Sequence, residues 1–396
     1  SSNIFLASIT AFIYLVLPFS FFFDRLATAD TMLSFFGLAA LLFSLLMAKY
    51  PRLDISMILG IILGLAWLTK SPAIYFIVLS AATFLFLNLN NFKKIYFPII
   101  SSFFAFVIYN LLRLGPQFHM IALRNQDYIW PLSEILKHPL DPLRPHINDI
   151  LSIYTQYISI PLFVVSLLGL VLVFLVNKKY LFATFNKRYL IPFFWWFLPL
   201  LANAAIAKVF TARYILFTLP PLIILLGISL QLLTTKATEF FKYPAITSLL
   251  ILLSLSLNIF WIYRFSLYPF KVSLPSTEAG YIAGWTSGWG IKDASDYLKI
   301  RSRSANVIVG TEGYFGTLPD GLQIYTDHQP HLTVFGVGLG FTKIPGKLID
   351  AKNHGDEVYL LMNRSRLELL PDELNKVTIY KTYPKPFGDD LLLIKI

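Results

Sequence analysis

Up to residue 264 the chain is a succession of long apolar runs broken by short polar stretches. A helix needs about 20 mostly apolar residues to cross a bilayer, somewhat fewer when polar loops cap its ends. Nine runs meet that need: Ile4–Phe23, Met32–Ala48, Ile55–Thr69, Pro72–Asn88, Ile95–Leu112, Ile158–Val176, Leu190–Ala207, Tyr214–Leu233 and Ala245–Tyr263. The third is short and requires tilt or an extension at either end. From residue 265 onward, short β-branched or aromatic runs alternate with turn residues. Asn306–Val309, Gln323–Thr326, His331–Phe335, Glu357–Met362, Val377–Lys381 and Leu391–Ile396 predict strands, and Asp293–Arg303 predicts an amphipathic helix with an aspartate near its start. The expected fold is a membrane α-helical protein of about nine transmembrane helices with a small C-terminal α/β domain, α+β being the neighbouring class. Its domains are a polytopic unit over 1–264 and a soluble unit over 265–396.

Composition agrees with a lipid solvent. Hydrophobic residues make up 56% of the chain and charged residues 14%, against about 25% charged in soluble domains. The absence of cysteine removes disulfides, zinc-thiolate sites and thiol nucleophiles, so any chemistry here uses oxygen and nitrogen groups. The net charge is +11, yet residues 265–396 balance 14 Lys and Arg against 14 Asp and Glu. The whole excess therefore belongs to the apolar part, and the high pI gives no support to nucleic-acid binding. The chain begins Ser-Ser-Asn, and Ile4–Phe23 runs straight into another apolar segment. The expectation is a chain lacking its true N-terminus, with no cleavable signal peptide.

Charge placement sets the orientation. Alternate loops carry Lys49 and Arg52, then Lys93 and Lys94, then Lys178, Lys179, Lys187 and Arg188, then Lys236 and Lys242, against only Asp54 and Glu239. Those loops are expected on the cytoplasmic side. The remaining loops and the C-terminal domain are then extracytoplasmic, in a multi-pass protein of the cell membrane. So is the segment 113–155, which is too long for a mere connector and is expected to form short amphipathic helices at the membrane surface.

The extracytoplasmic ends hold charges that the positive-inside bias does not explain. Asp24, Arg25 and Asp30 share one loop, Lys70 follows a span in Leu68-Thr69-Lys70-Ser71-Pro72, and Lys208 and Arg213 flank another outer turn. Ionisable residues at membrane spans are costly and mark functional sites. Lysine and arginine suit phosphate oxygens, and the membrane setting suggests a phosphate carried on a lipid. Asp30 or Asp24 would then act as general base or orient an acceptor hydroxyl. The bland alternative is interfacial pairing and snorkelling of each residue alone. His119, His138 and His146 lack a repeating ligand spacing, so no metal site is expected; no cofactor is expected either, with a divalent metal left open. The glycines of Trp285-Thr286-Ser287-Gly288-Trp289-Gly290 do not follow a strand in a βαβ unit; they read as a turn or a flexible wall facing the membrane.

The order Arg25-x-x-x-x-Asp30-Thr31, Gly60-x-x-x-Gly64-Leu-Ala-x-Leu-Thr69-Lys70-Ser-Pro72 and Ala212-Arg213-Tyr214 followed by Pro220-Pro221 resembles the polyprenyl-phosphate-dependent glycosyltransferases of the C-type superfamily. The pattern is closest to the protein O-mannosyltransferases and the lipid A aminoarabinose transferases. Residues 281–297 also resemble the stretch after the last span in such proteins. The resemblance implies transfer of a sugar from a polyprenyl-phosphate donor to a hydroxyl on a protein, lipid or glycan, outside the cytoplasm and with inversion at the anomeric carbon. It implies Asp30 as an acidic site residue and Arg25, Lys70 and Arg213 as donor-phosphate ligands, with Tyr214 beside them and Lys208, Arg124 and Tyr128 placed there by position. In the family an earlier extracytoplasmic loop carries a further acidic residue, and that loop has no counterpart in this sequence. The alternative from another class is a transporter or flippase of lipid-linked intermediates, for which inverted repeats or charges near the midplane are expected; neither is visible.

Overall fold

The computed structural model of the chain describes residues 4–89, 94–138, 140–164, 184–240, 244–272, 274 and 276–396. The chain divides into two compact units, Ser1–Ser266 and Leu267–Ile396.

The first unit is helical. Among the described residues, Ala29–Lys49, Tyr96–Leu114, Tyr189–Ile206 and Ala212–Leu230 are long and apolar enough to cross a membrane, while Leu53–Thr69, Ser71–Leu87 and Leu252–Leu267 are shorter apolar helices. This is the makeup of a multi-pass membrane protein, although not each of the nine expected spans is seen. The run Ile158–Val176 lies largely outside the described residues. Ile4–Phe23 is two helices, α1 (Ile4–Leu15) and α2 (Pro18–Phe23), with Leu17 extended between them at φ −80° and ψ 129°. Pro18 lacks an N–H and its ring disfavours helical backbone at the residue before it, so hydropathy runs through a break that sterics impose.

Helices α3 (Ala29–Lys49), α4 (Leu53–Thr69), α5 (Ile74–Leu87) and α6 (Tyr96–Tyr109) share one buried core through Leu33, Ala40, Leu59, Leu63, Phe76 and Ala105. Trp195, from α10 (Thr184–Ile206), enters that core, and its indole N–H donates to Thr83 Oγ1 at 2.9 Å. The outer face of α3 is apolar too: Met32, Phe35, Leu38, Leu42 and Leu45 are all exposed. A helix apolar on both faces suits lipid better than water. In lipid, close backbone approach drives association more than burial does. The small stripe Ser56, Gly60, Gly64 on α4 supplies it: a Cβ on Gly60 would lie 2.5 Å from Phe104 Cβ, and one on Gly64 would lie 2.6 Å from Ile108 Cβ. Ser56 Oγ donates across the same seam to the Phe97 carbonyl at 2.5 Å.

The segment 113–155 forms short helices, α7 (Phe118–Tyr128), α8 (Leu132–Lys137) and α9 (Leu143–Tyr157). On α9, His146, Ile153, Tyr154 and Tyr157 are buried, the one-sided spacing of an amphipathic helix. Helices α11 (Leu219–Phe240) and α12 (Pro244–Leu267) follow.

In the second unit, after α13 (Ser276–Ala283), five strands lie in the order β2-β1-β3-β5-β4. They are β1 (Val307–Glu312), β2 (Leu332–Gly338), β3 (Glu357–Asn363), β4 (Thr378–Tyr383) and β5 (Leu391–Lys395). β1 runs parallel to β2 and β3, and β5 antiparallel to β3 and β4. Both faces of the central strands β1, β3 and β5 are buried. Tyr359 and Leu361 meet α14 (Ile291–Arg301) on one side, whereas Val358, Leu360 and Met362 meet Leu348 of α16 (Gly346–Asn353) on the other. Two covered faces explain the near-continuous apolar run of β3. The predicted strand Gln323–Thr326 is instead part of α15 (Asp320–Thr326). Leu322 and Thr326, four residues apart on this helix, are buried, while Ile324 is 76% exposed; the helical period outweighs the local β-propensity.

Candidate functional site

Four segments of the first unit line an open cavity of about 650 Å3. The α2–α3 connection and the first turn of α3 contribute Thr28 and Asp30, the α4–α5 connection Lys70, Ser71 and Pro72, α7 Arg124 and Tyr128, and the α10–α11 connection Phe210, Arg213 and Tyr214. Leu33, Ile74, Ile129, Ile206 and Val209 make the rest of the wall largely apolar. Residues spread over nearly two hundred positions therefore meet because helix ends converge.

Asp30 lies in the first turn of α3 and is only 3% exposed. Its carboxylate sits near the helix N-terminus, where backbone N–H groups favour negative charge, and it receives an ion pair from Lys70 Nζ. Lys70 is the C-cap residue of α4 with extended backbone at φ −163°, which ends the helix and turns the chain into Ser71-Pro72. Its Nζ lies 4.5 Å from the centre of the Tyr214 ring, and the Arg213 guanidinium carbon lies 4.9 Å from the same ring. Arg213 Nη2 donates to Tyr214 Oη at 3.0 Å. One aromatic ring thus holds two cations together, and a buried carboxylate neutralises one of them.

Beside this cluster, in the wall of the same cavity, stands Asn203. Its Nδ2 donates to the Tyr214 carbonyl at 3.2 Å, and its Oδ1 accepts from Tyr75 Oη at 3.2 Å. The sequence reading missed Asn203 and Tyr75. An amide near the end of an apolar helix was the available signal.

Segment 113–155 is pinned to the site by a short antiparallel bridge between Ile129 and Ala207. Trp130 N–H donates to the Ile206 carbonyl at 2.9 Å, and Lys208 N–H to the Tyr128 carbonyl at 2.8 Å. Lys208 Nζ donates to the Gln126 carbonyl at 2.5 Å and lies 5.3 Å from the Trp130 ring. Lys208 is absent from the cavity wall; it clips α7 in place, so that Arg124 and Tyr128 reach the wall. Arg124 pairs with Asp127 at 3.2 Å.

The remaining candidates lie elsewhere. Asp24 accepts from Thr31 Oγ1 at 3.0 Å and from Tyr14 Oη at 3.3 Å, and it does not line the cavity. Arg25 stacks on Phe21, its guanidinium carbon 3.5 Å from the ring centre, and is also outside the wall. His146 stacks on Phe210 at 4.7 Å, and its Nδ1 bonds the Ala204 carbonyl at 2.8 Å. Among the described residues no group of three or more His, Cys, Asp or Glu side chains is arranged to hold a metal ion.

The cavity thus combines a carboxylate, cations and three tyrosines with apolar walls at the ends of apolar helices. No protein-family profile and no curated protein matches this sequence.

Proposed function

We propose that the chain is an inverting glycosyltransferase of the C-type kind, moving a sugar from a polyprenyl-phosphate donor to an acceptor hydroxyl on the extracytoplasmic side of the cell membrane. What carries the reading is the convergence of Asp30, Lys70 and Arg213 on one cavity with Tyr214, Arg124 and Tyr128 around them.

Charge favours the donor. The wall carries three cationic side chains, Lys70, Arg124 and Arg213, and one carboxylate, Asp30. A polyprenyl-phosphate sugar is a phosphodiester with one negative charge, and its apolar tail matches the aliphatic walls. In the reaction the acceptor oxygen attacks the anomeric carbon while the bond from that carbon to the phosphate oxygen breaks. The electron pair leaves with polyprenyl phosphate, whose added charge Lys70 and Arg213 stabilise. The acceptor proton passes to a carboxylate or to water, and Asp30 orients the hydroxyl. A phosphate leaving group needs no general acid.

In the full-length protein, Lys70→Gln and Arg213→Gln are each expected to abolish glycosylation in cells while leaving the protein at normal level in the membrane. Retention of activity by both variants would sink the phosphate clamp.

A further inference from the structure

We propose that the second unit seats directly on the bilayer surface through the aromatic cluster Phe270, Trp289 and Phe387, at the carboxyl ends of its parallel strands. This rests on reading the apolar helices of the first unit as membrane spans. The occupant of the face is the lipid headgroup region itself.

Three segments build the cluster. Phe270 follows α12, Trp289 belongs to the loop between α13 and α14, and Phe387 lies in the turn between β4 and β5. The ring centres of Phe270 and Trp289 are 5.8 Å apart, and those of Phe270 and Phe387 6.3 Å. All three rings are at least 36% exposed, Phe387 reaching 67%. Tyr268 is exposed beside them, with Lys271 Nζ 5.1 Å from its ring. Aromatic rings with a flanking lysine are the chemistry of the membrane–water interface.

Chain continuity selects the bilayer over other partners. Exposed apolar side chains run along α12 through Leu253, Leu257, Phe260 and Leu267, and then into Tyr268 and Phe270. Three residues span at most about 10 Å, so the cluster begins within the interfacial zone in which a spanning helix ends.

The loop that presents Trp289 is held from beneath. Lys385 is 6% exposed, and its Nζ donates to the Gly284 carbonyl at 3.1 Å, the Ser287 carbonyl at 3.4 Å and Asn363 Oδ1 at 2.5 Å. Asn363 N and Nδ2 each donate to the buried Glu312 carboxylate at 2.7 Å. A buried ammonium spent on loop carbonyls fixes loop shape, because every donor and acceptor in such a network must stay paired. Trp289 Nε1 is satisfied by the Ile282 carbonyl at 2.7 Å, which leaves the apolar ring as the surface offered outward.

Because the chain has no cysteine, single labels can be placed cleanly. Nitroxides on Phe387→Cys, Leu257→Cys and Asp327→Cys, in the full chain in phosphatidylcholine/phosphatidylglycerol nanodiscs, would be relaxed by oxygen, which partitions into lipid, and by a water-soluble nickel chelate. The proposal expects oxygen to dominate at 257 and 387 and the chelate to dominate at 327, near the amino end of β2. Chelate dominance at 387 with oxygen dominance at 257 overturns the seating alone. Chelate dominance at 257 overturns the membrane reading beneath it. A label at 387 immobilised and shielded from both agents shows a protein partner on this face and also overturns the proposal. Lys385→Met is expected to mobilise a label at Trp289→Cys; an unchanged spectrum would remove the network from the account.

Discussion

Lys70 cannot serve Asp30 and a donor phosphate fully at once, and this competition yields a quantitative expectation for Asp30→Asn. In the structure Lys70 Nζ pairs with the Asp30 carboxylate, which is almost inaccessible, while the Lys70 side chain remains 27% exposed toward the cavity. Replacing the carboxylate by an amide leaves the volume nearly unchanged and releases the ammonium for an incoming phosphate. A hydrogen bond to a charged group contributes about 1.5–3 kcal/mol, and about 1.4 kcal/mol is a factor of ten in affinity. Asp30→Asn is therefore expected to bind sugar-free polyprenyl phosphate about 10- to 100-fold more tightly than the parent chain. Loss of the orienting carboxylate is expected to suppress transfer at the same time. Titration of the lipid phosphate followed by native mass spectrometry in detergent reads the first quantity, and product formation reads the second. A variant that binds the lipid phosphate more weakly would refute the competition, and would make Asp30 a device for holding Lys70 in a binding pose.

Arg213→Lys keeps the charge but loses the planar fork and the bond to Tyr214 Oη; the donor affinity measured in the same titration is expected to fall about tenfold. Gly64→Leu drives a side chain into Ile108, and thermal unfolding in detergent is expected to show a loss of about 1–3 kcal/mol, with Ile108→Ala restoring part of it. The second unit carries a pH-sensitive contact at Glu357. Burial raises its carboxyl pKa, but hydrogen bonds from Tyr359 and Arg301 and the charges of Arg301 and Lys395 outweigh this and leave it below the usual glutamate value. A depressed folded value gives stability above the unfolded pKa that disappears as pH falls through the folded one. Hydrogen-exchange protection of β3 is expected to exceed that of Glu357→Gln by about 1 kcal/mol at pH 7, with the gap closing under acid; an equal gap at low pH would contradict the assignment.

Much of this architecture can be read from sequence because the lipid-facing positions and the sheet core each impose an apolar period. Breaks set by one residue are harder to see. Pro18 splits an apolar run without altering its hydropathy, and Ile324 and Tyr325 suggest a strand although Leu322 and Thr326 form the buried face of a helix. Of the charged residues singled out, Asp30, Lys70, Arg124 and Arg213 reach the cavity; all but Arg124 sit where a helix starts or stops, a position that caps and prolines announce. Lys208, Asp24 and Arg25 have the same composition and the same side of the chain in their favour. Their partners, the Gln126 carbonyl, Tyr14 and Phe21, decide their placement, and no linear pattern encodes those contacts. Asn203 escaped notice for the converse reason, as a single amide in an apolar run.

The most direct test of the central claim is donor turnover by the purified full-length protein in nanodiscs. Polyprenyl-phosphate sugars labelled in the sugar would be supplied with membrane and cell-envelope acceptors, and the lipid products resolved by mass spectrometry. The account predicts that free polyprenyl phosphate appears in step with labelled acceptor, that the new linkage has the opposite anomeric configuration, and that Arg213→Gln stops both. Binding of the donor with no release of polyprenyl phosphate, or its passage across the bilayer intact, would contradict it.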